Sequence, residues 1–457
     1  MTSTFRLAFL AFFAALAASG QAPDPREIPV PPIETSLGAL PGVDALPSRP
    51  AMPDVLVNND GTRVRTREQW LARRQEIKRV LEYYAVGQAP PAPGNVQAKE
   101  LFAESVLDGK ARYRLLKLSF GPGRKLGLHV GLFTPAGDGP FPAVILQSST
   151  PPSAPELPRQ SQGPNQGRGE NVLAVVGMRL LDGSMSPPRP PRGFPQMTAQ
   201  KAAERYRMAI ERGYALAMFN PNDCAEDTTL RNEDGSWAFR NSRFFPAYPG
   251  YDWGILAAWA WGASRVADYL ESDAAIDASK LIVTGASRNG KSAMVAAAFD
   301  ERLMGAPVVT GGGGVGAYRF AGPRGSETLD LMETKYPNWF SPHLPQFRGH
   351  VDKLPFDQHF FLALAAPRPF LALEGMTDKI SLPEAVRQSM LAARPAYALH
   401  GATDRLGVHY ANHGHAFTDE DWAAMLDFAD KHLRGRAVDG DFFRFPSEAE
   451  LDAAMSH

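Results

Sequence analysis

The sequence predicts an α/β protein: a mostly parallel central sheet with helices on both faces, in three layers, with loop insertions. Three observations predict it. Short apolar runs at 142–146, 214–219, 281–284, 307–309 and 369–373 each stand near a plausible helix, the βαβ repetition that builds parallel sheets. The run at 281–284 breaks at Gly285 and passes through a tight turn into an Ala-rich helix that extends through Ala298. A 44 % apolar share with 26 Phe, 7 Trp and 12 Tyr supplies a large buried core, which a disordered chain lacks.

Length bounds the architecture loosely, since 457 residues suit either one decorated domain or two. We expect one core domain over 61–440, preceded by an extended arm at 23–60 and followed by a tail at 441–457. The 48 basic and 49 acidic residues nearly cancel, and no Lys/Arg block advertises nucleic acid or anionic lipid as a partner. At the start, Arg6, the apolar run 7–18 and the small residues 17–20 read as a secretory signal over 1–22, too short for an ordinary membrane span. The expected location is therefore secreted or periplasmic, with no membrane attachment after signal removal. Cys224 is the single cysteine, so intramolecular disulfides are excluded and stability rests on packing.

The elements follow in order. Residues 67–84 carry Trp70, Ile77, Val80 and Leu81 at helical spacing. Runs at 112–120 and 126–133, separated by Gly121, Pro122 and Gly123, read as an antiparallel hairpin at a sheet edge. The parallel strands come next. Between 150 and 200 the composition turns to Pro, Gly, Gln, Ser and Arg, including Pro187, Pro188, Pro190, Pro191 and Pro195, and reads as a long loop insertion. The segment 254–270 places Ile255, Trp259, Val266 and Leu270 on one helical face ahead of the strand at 281–284.

That strand leads to the most informative segment, Gly285-Ala286-Ser287-Arg288-Asn289-Gly290-Lys291. A strand-to-helix turn carrying a nucleophile needs small residues, because its backbone is strained and neighbouring segments come close. Ser287 would occupy the apex of such a turn in an α/β-hydrolase fold. The following N–H, at the positive end of the helix, could then donate to an oxyanion. Asn289 stands where the usual motif has its last Gly, with Gly290 one residue later. A serine that merely caps a helix is the bland alternative, and a phosphate loop is a weaker one, because the four-residue spacer is missing.

A serine hydroxyl needs an imidazole within hydrogen-bond reach and a carboxylate to orient that imidazole, in the chain order Ser, acid, His. His413 and His415 both precede the amphipathic helix at 421–433, where such folds place the base; a metal-binding or surface pair is the alternative. Asp378 lies on the loop after the strand at 370–373, with Glu374 as substitute. It could equally cap the helix that Ser381 and Pro383 announce.

These residues resemble the glucuronoyl esterases of carbohydrate esterase family 15. The resemblance rests on 285–291, on the glycine run 311–314 ending in Tyr318-Arg319, on Pro337-Asn338-Trp339-Phe340, on 354–359, on Ala366-Pro367-Arg368-Pro369, and on Gly414-His415 with Asp421-Trp422. It covers about 68–433. The family usually has Cys where Ala286 stands, and many members carry a catalytic Glu just before the glycine run, where this chain reads Val308-Val309-Thr310. The resemblance implies that Asp378 does that work. It further implies that Arg288 stabilises the oxyanion, that Lys291 contacts sugar hydroxyls of a uronic acid, and that Trp339 stacks on sugar or walls the site. Glu327, Asp330 and Glu333 lie where relatives place polar substrate contacts, and the choice among them stays open.

The expected chemistry is two-step acyl transfer by Ser287, His415 and Asp378, with no metal and no organic cofactor. The implied substrate is a glucuronate ester, as where lignin alcohols join glucuronoxylan, and the chain is expected to act as a monomer. Two rival readings keep the fold: an acetyl-xylan or other carbohydrate esterase, and a catalytically inactive carbohydrate-binding protein.

Overall fold

The computed structural model describes residues 40–148, 199–322 and 327–455. The signal segment at 1–22 and nearly all of the insertion at 150–200 lie outside the described residues. Nine strands, β1 (Gln97–Val106), β2 (Ala111–Phe120), β3 (Leu126–Pro135), β4 (Phe141–Gln147), β5 (Ala215–Phe219), β6 (Ile276–Ala286), β7 (Leu303–Val308), β8 (Phe370–Gly375) and β9 (Leu406–Ala411), form one sheet. Its order is β1-β2-β3-β5-β4-β6-β7-β8-β9. Strands β1, β2 and β3 pair antiparallel, as does β3 with β5, and every pairing from β5 through β9 is parallel. The mostly parallel sheet with helices on both faces is borne out.

Parallel strands covered on both sides send alternate side chains to opposite cores. In β4, Ala143 and Ile145 enter one cluster while Val144 enters the other; in β6, Leu281 and Val283 oppose Ile282; in β8, Phe370 and Ala372 oppose Leu371 and Leu373. Helices α1 (Arg67–Val80), α3 (Ile255–Leu270), α4 (Arg288–Phe299), α6 (His359–Ala365) and α7 (Pro383–Leu399) cover the first face. Helices α2 (Ala199–Glu211) and α8 (Asp419–Arg434) cover the second. Two short helices complete the described elements: α5 (Leu329–Lys335), whose Leu329 and Met332 join the first-face core, and α9 (Glu448–Met455).

Besides differences in element bounds, such as β7 spanning Leu303–Val308 where the run 307–309 suggests a strand, the structure departs from the sequence expectation in four places, each with a physical cause. The hairpin β2–β3 is not the edge, because β1 pairs outside β2; most of β1 is exposed, so its sequence carries little apolar signal. Helix α1 stops at Val80 and continues as a π turn over Leu81–Val86. There the carbonyls of Ala85 and Val86 accept from Ser341 and Gly254 N–H groups at 3.0 and 2.8 Å, and that of Tyr83 accepts from the Ser341 hydroxyl. Such contacts draw carbonyls out of the regular helical ladder. Helix α3 buries 13 of its 16 residues rather than a single stripe, because loops enclose its outer face. Strand β9 carries Gly407 and His409 and is short, so no apolar run announces it. Its Val408 N–H donates to Phe442 O at 2.6 Å, which packs the start of the 441–457 segment alongside.

Leu371 is fully buried between β8 and the α8 face. Leu371→Ala should lower the unfolding free energy by about 2–5 kcal/mol. In urea titration the midpoint should fall with the slope unchanged.

Candidate active site

In a parallel sheet all carboxyl ends lie at one edge, and loops leaving that edge form the crevice where ligands bind. Ser287 follows β6, Asp378 follows β8 and His415 follows β9, so β7 alone separates the serine-bearing strand from the β8–β9 pair. Register supports this placement, since Ala286 pairs with Val308 and Gly375 with Ala411.

Ser287 has φ 57° and ψ −123°, backbone strain that a non-glycine residue rarely adopts. Its N–H still donates to Val308 O at 2.9 Å, and its carbonyl accepts from Lys291 N–H at 2.9 Å, so the strained residue is tied both to the end of β7 and to the first turn of α4. The turn closes by contact between two glycines. A Cβ at Gly290 would lie 2.8 Å from Gly285 O and 2.9 Å from Val308 O, which is why glycine is needed at 290 while Asn289 is accepted at the usual glycine position. The Ser287 side chain makes no capping bond to α4 and is half-buried. The helix-capping alternative therefore does not describe it.

His415 Nδ1 lies 2.8 Å from Asp378 Oδ2. An ionised carboxylate only accepts, so Nδ1 carries the proton and Nε2 is left with a lone pair. The Asp378 side chain is 1 % exposed and that of His415 22 %. Asp378 Oδ1 accepts from Ile380 N–H at 3.0 Å, which fixes the carboxylate. Glu374, the substitute, is fully buried and accepts from the Ser381 hydroxyl. Burial, with Asp378 and Asp421 nearby, pushes its carboxyl well above the usual range. His413, the other candidate base, faces Asp421 at 3.0 Å instead. No carboxylate precedes the glycine run: Val309 is buried there with φ 43°.

Arg288 and Lys291 stand near the positive end of α4, a poor place for cations by dipole sign, and each has an acidic partner. Arg288, 43 % exposed, pairs with Asp227. Its guanidinium lies 5.2 Å from the ring centroid of Trp339 and 5.8 Å from that of Tyr336. Trp339 is buried, stacked on Tyr336 at 4.1 Å, and its indole N–H donates to Asp227 Oδ1 at 2.7 Å. Lys291 is 1 % exposed and donates to Glu327 Oε2 at 2.7 Å and to the Thr310 carbonyl. Two of its three ammonium protons are thus committed. The glycine run makes room for this pair, since a Cβ at Gly311 would lie 2.6 Å from Glu327 Oε2.

The remaining expected residues separate. Asp330 is exposed and accepts from Gly349 N–H at 2.8 Å. Glu333 is buried and neither of its oxygens has a hydrogen-bond partner; burial, only partly offset by Arg348, raises its carboxyl to about 8. Sequence reasoning missed Asp227, which joins Arg288 to Trp339. It sits in the irregular loop after β5, and no local pattern marks its partners. Among the described residues, no group of three His, Cys, Asp or Glu converges to hold a metal.

A family model described as glucuronyl esterase, fungi, matches residues 183–401. A carbohydrate esterase from an unknown prokaryotic organism is 29 % identical over 412 residues, covering 84 % of this chain and 90 % of that protein. A 4-O-methyl-glucuronoyl methylesterase from Podospora anserina is 28 % identical over 333 residues, covering 71 % of this chain and 55 % of its own length, so this chain spans about half of that relative. Among solved structures, a glucuronoyl esterase from Solibacter usitatus superposes with a TM-score of 0.68 at 25 % identity, covering 85 % of this chain and 99 % of that one. The resemblance to carbohydrate esterase family 15, the α/β-hydrolase fold and the enzyme class, a carboxylic ester hydrolase, are borne out.

Glu333 also yields a stability prediction. Its folded pKa lies above the unfolded value, so the folded state binds more protons between the two and stability falls as pH rises from about 4.5 to about 8. Glu333→Gln should flatten that slope and leave the variant more stable than the parent at pH above about 8, as read by chemical denaturation across pH.

Proposed function

We propose that this chain, similar to the glucuronoyl esterases of carbohydrate esterase family 15, is an exported serine esterase that hydrolyses esters of glucuronic acid. The observation that carries the reading is the 2.8 Å contact of His415 Nδ1 with buried Asp378, made at the sheet edge where the strained Ser287 turn also stands. Export rests on the signal read at 1–22. No helix among the described residues is long and apolar enough to cross a membrane.

The assignment of roles follows from chemistry. His415 Nε2 removes the Ser287 proton, the alkoxide attacks the uronate ester carbonyl, and negative charge gathers on its oxygen. The Arg288 guanidinium and the backbone N–H groups at the positive start of α4 stabilise that oxygen. Collapse transfers the proton from His415 to the departing alcohol and leaves the sugar carboxyl esterified to Ser287. Water, deprotonated by His415, then attacks and releases the free uronic acid. Asp378 holds the ring in the productive tautomer and balances its charge when protonated. The fungal relatives named 4-O-methyl-glucuronoyl methylesterases support a 4-O-methyl-glucuronoyl ester, of the kind that joins xylan to lignin alcohols, as the substrate. A monomer is sufficient for this mechanism, since all named groups come from one chain.

A second reading, a carbohydrate esterase of other ester type, is favoured by one observation: Lys291 is buried with its charge committed to Glu327, which weakens its pull on a sugar hydroxyl. Methanol release from a uronate methyl ester, compared with acetate release from acetylated xylan, separates the two.

Ser287→Ala should abolish turnover of methyl glucuronate, and undiminished turnover would remove the nucleophile assignment. Asp378→Asn should lower kcat by about 10²- to 10⁴-fold, as expected when the orienting carboxylate of such a triad is lost. A full rate in that variant would move the acid to another residue.

A further inference from the structure

His413 lies two residues before His415 and is held by acceptors on both sides of its ring. Nδ1 is 2.8 Å from Gly414 O, and Nε2 is 3.0 Å from Asp421 Oδ2 and 3.2 Å from Oδ1. A neutral ring carries one N–H and would turn a lone pair toward one of these oxygens, whereas an imidazolium donates to both. Burial works against that charge. The hydrogen bond and charge of Asp421, the Gly414 carbonyl and Glu420 outweigh it and raise the ring above its ordinary value.

The main chain makes the same residue a junction. Its carbonyl accepts from Thr377 N–H at 3.1 Å, next to Asp378 on the loop after β8. A Cβ on Gly375 would lie 2.4 Å from His413 O and 2.7 Å from His413 Nδ1, so the two loops touch through bare backbone. Asp421 is itself fixed, because it accepts from Thr418 N–H and hydroxyl at 2.7 and 2.8 Å at the start of α8. The other titratable groups around the junction are Glu420 on α8, His409 on β9 at 3.7 Å from Glu420, Glu374 on β8, and the His415–Asp378 pair.

We infer that His413, donating from both ring nitrogens, is a positioning residue that clips the loop bearing His415 to Asp421 and so keeps the His415 ring against Asp378. This rests on the reading of Ser287, His415 and Asp378 as the hydrolytic machinery. Loss of the His413 proton as pH rises removes one of the two clips, so turnover declines on the alkaline side while substrate binding holds.

The test compares the full chain with His413→Gln, Asp421→Asn and Ser287→Ala, measuring kcat and KM for methyl glucuronate from pH about 5 to about 10. The wild type should show an alkaline decline in kcat. His413→Gln should lose about tenfold to a hundredfold in kcat, the scale of a displaced catalytic group, with KM within about twofold, and its alkaline decline should vanish. Asp421→Asn should move the decline to lower pH. A His413→Gln enzyme with wild-type kcat and pH profile overturns the inference, as does a loss of kcat that keeps the alkaline decline in place. If His413→Gln fails to fold, ring NMR of the histidine-labelled wild type decides: a doubly protonated His413 at neutral pH supports the inference, and a singly protonated ring overturns it. Full turnover by Ser287→Ala would instead sink the functional reading beneath.

Discussion

The contact between His415 and Asp378 depends on two neighbouring parallel strands keeping one register. Gly375 pairs with Ala411 at the carboxyl end of β8 and β9, and the loops that leave there meet because Gly375 has no side chain to hold them apart. A slip of one residue would reverse every side chain between the two cores. Phe370 and Ala372 would then face the wrong layer, as would Leu371 and Leu373. The apolar cost of that slip is what holds the imidazole to its carboxylate.

Charge is managed at this edge by pairing. Glu374, Asp378 and Asp421 are all buried, and the charges of Asp378 and Asp421 act on Glu374 through space. Unpaired ionised carboxylates in such surroundings carry a large desolvation cost. Burial pushes the Glu374 carboxyl well above the usual range, while Asp378 and Asp421 each face a histidine. The two cations at the start of α4 are handled in the same way. Asp227 and Glu327 offset the unfavourable dipole position of Arg288 and Lys291, and Trp339 ties both pairs together beneath the turn.

Much of the fold was legible because the strands that matter most are buried on both faces. The runs at 142–146 and 281–284 lie within parallel strands and that at 369–373 lies in one from Phe370 onward, and all three are dense in apolar residues. β1 and β9 were not legible. β1 turns mostly to solvent, and β9 interleaves Gly407 and His409 with its apolar residues, so neither shows a run that length and hydropathy can find. The break from α1 into a π turn was hidden too, since its cause is hydrogen bonding by Ser341 and Gly254, far along the chain.

The sequence by itself determined the αβ alternation, the small-residue turn around Ser287, and a short set of candidate acids and bases placed after the right strands. Those features are local, set by side-chain size, backbone freedom and hydrophobic period. Only the tertiary structure decided between Asp378 and Glu374 as the carboxylate facing His415, placed His413 on Asp421, and brought Asp227 to Arg288 and Trp339. Such choices turn on distance and burial between residues that are remote in the chain, and a carboxyl's proton is settled by surroundings that no local pattern of residues encodes.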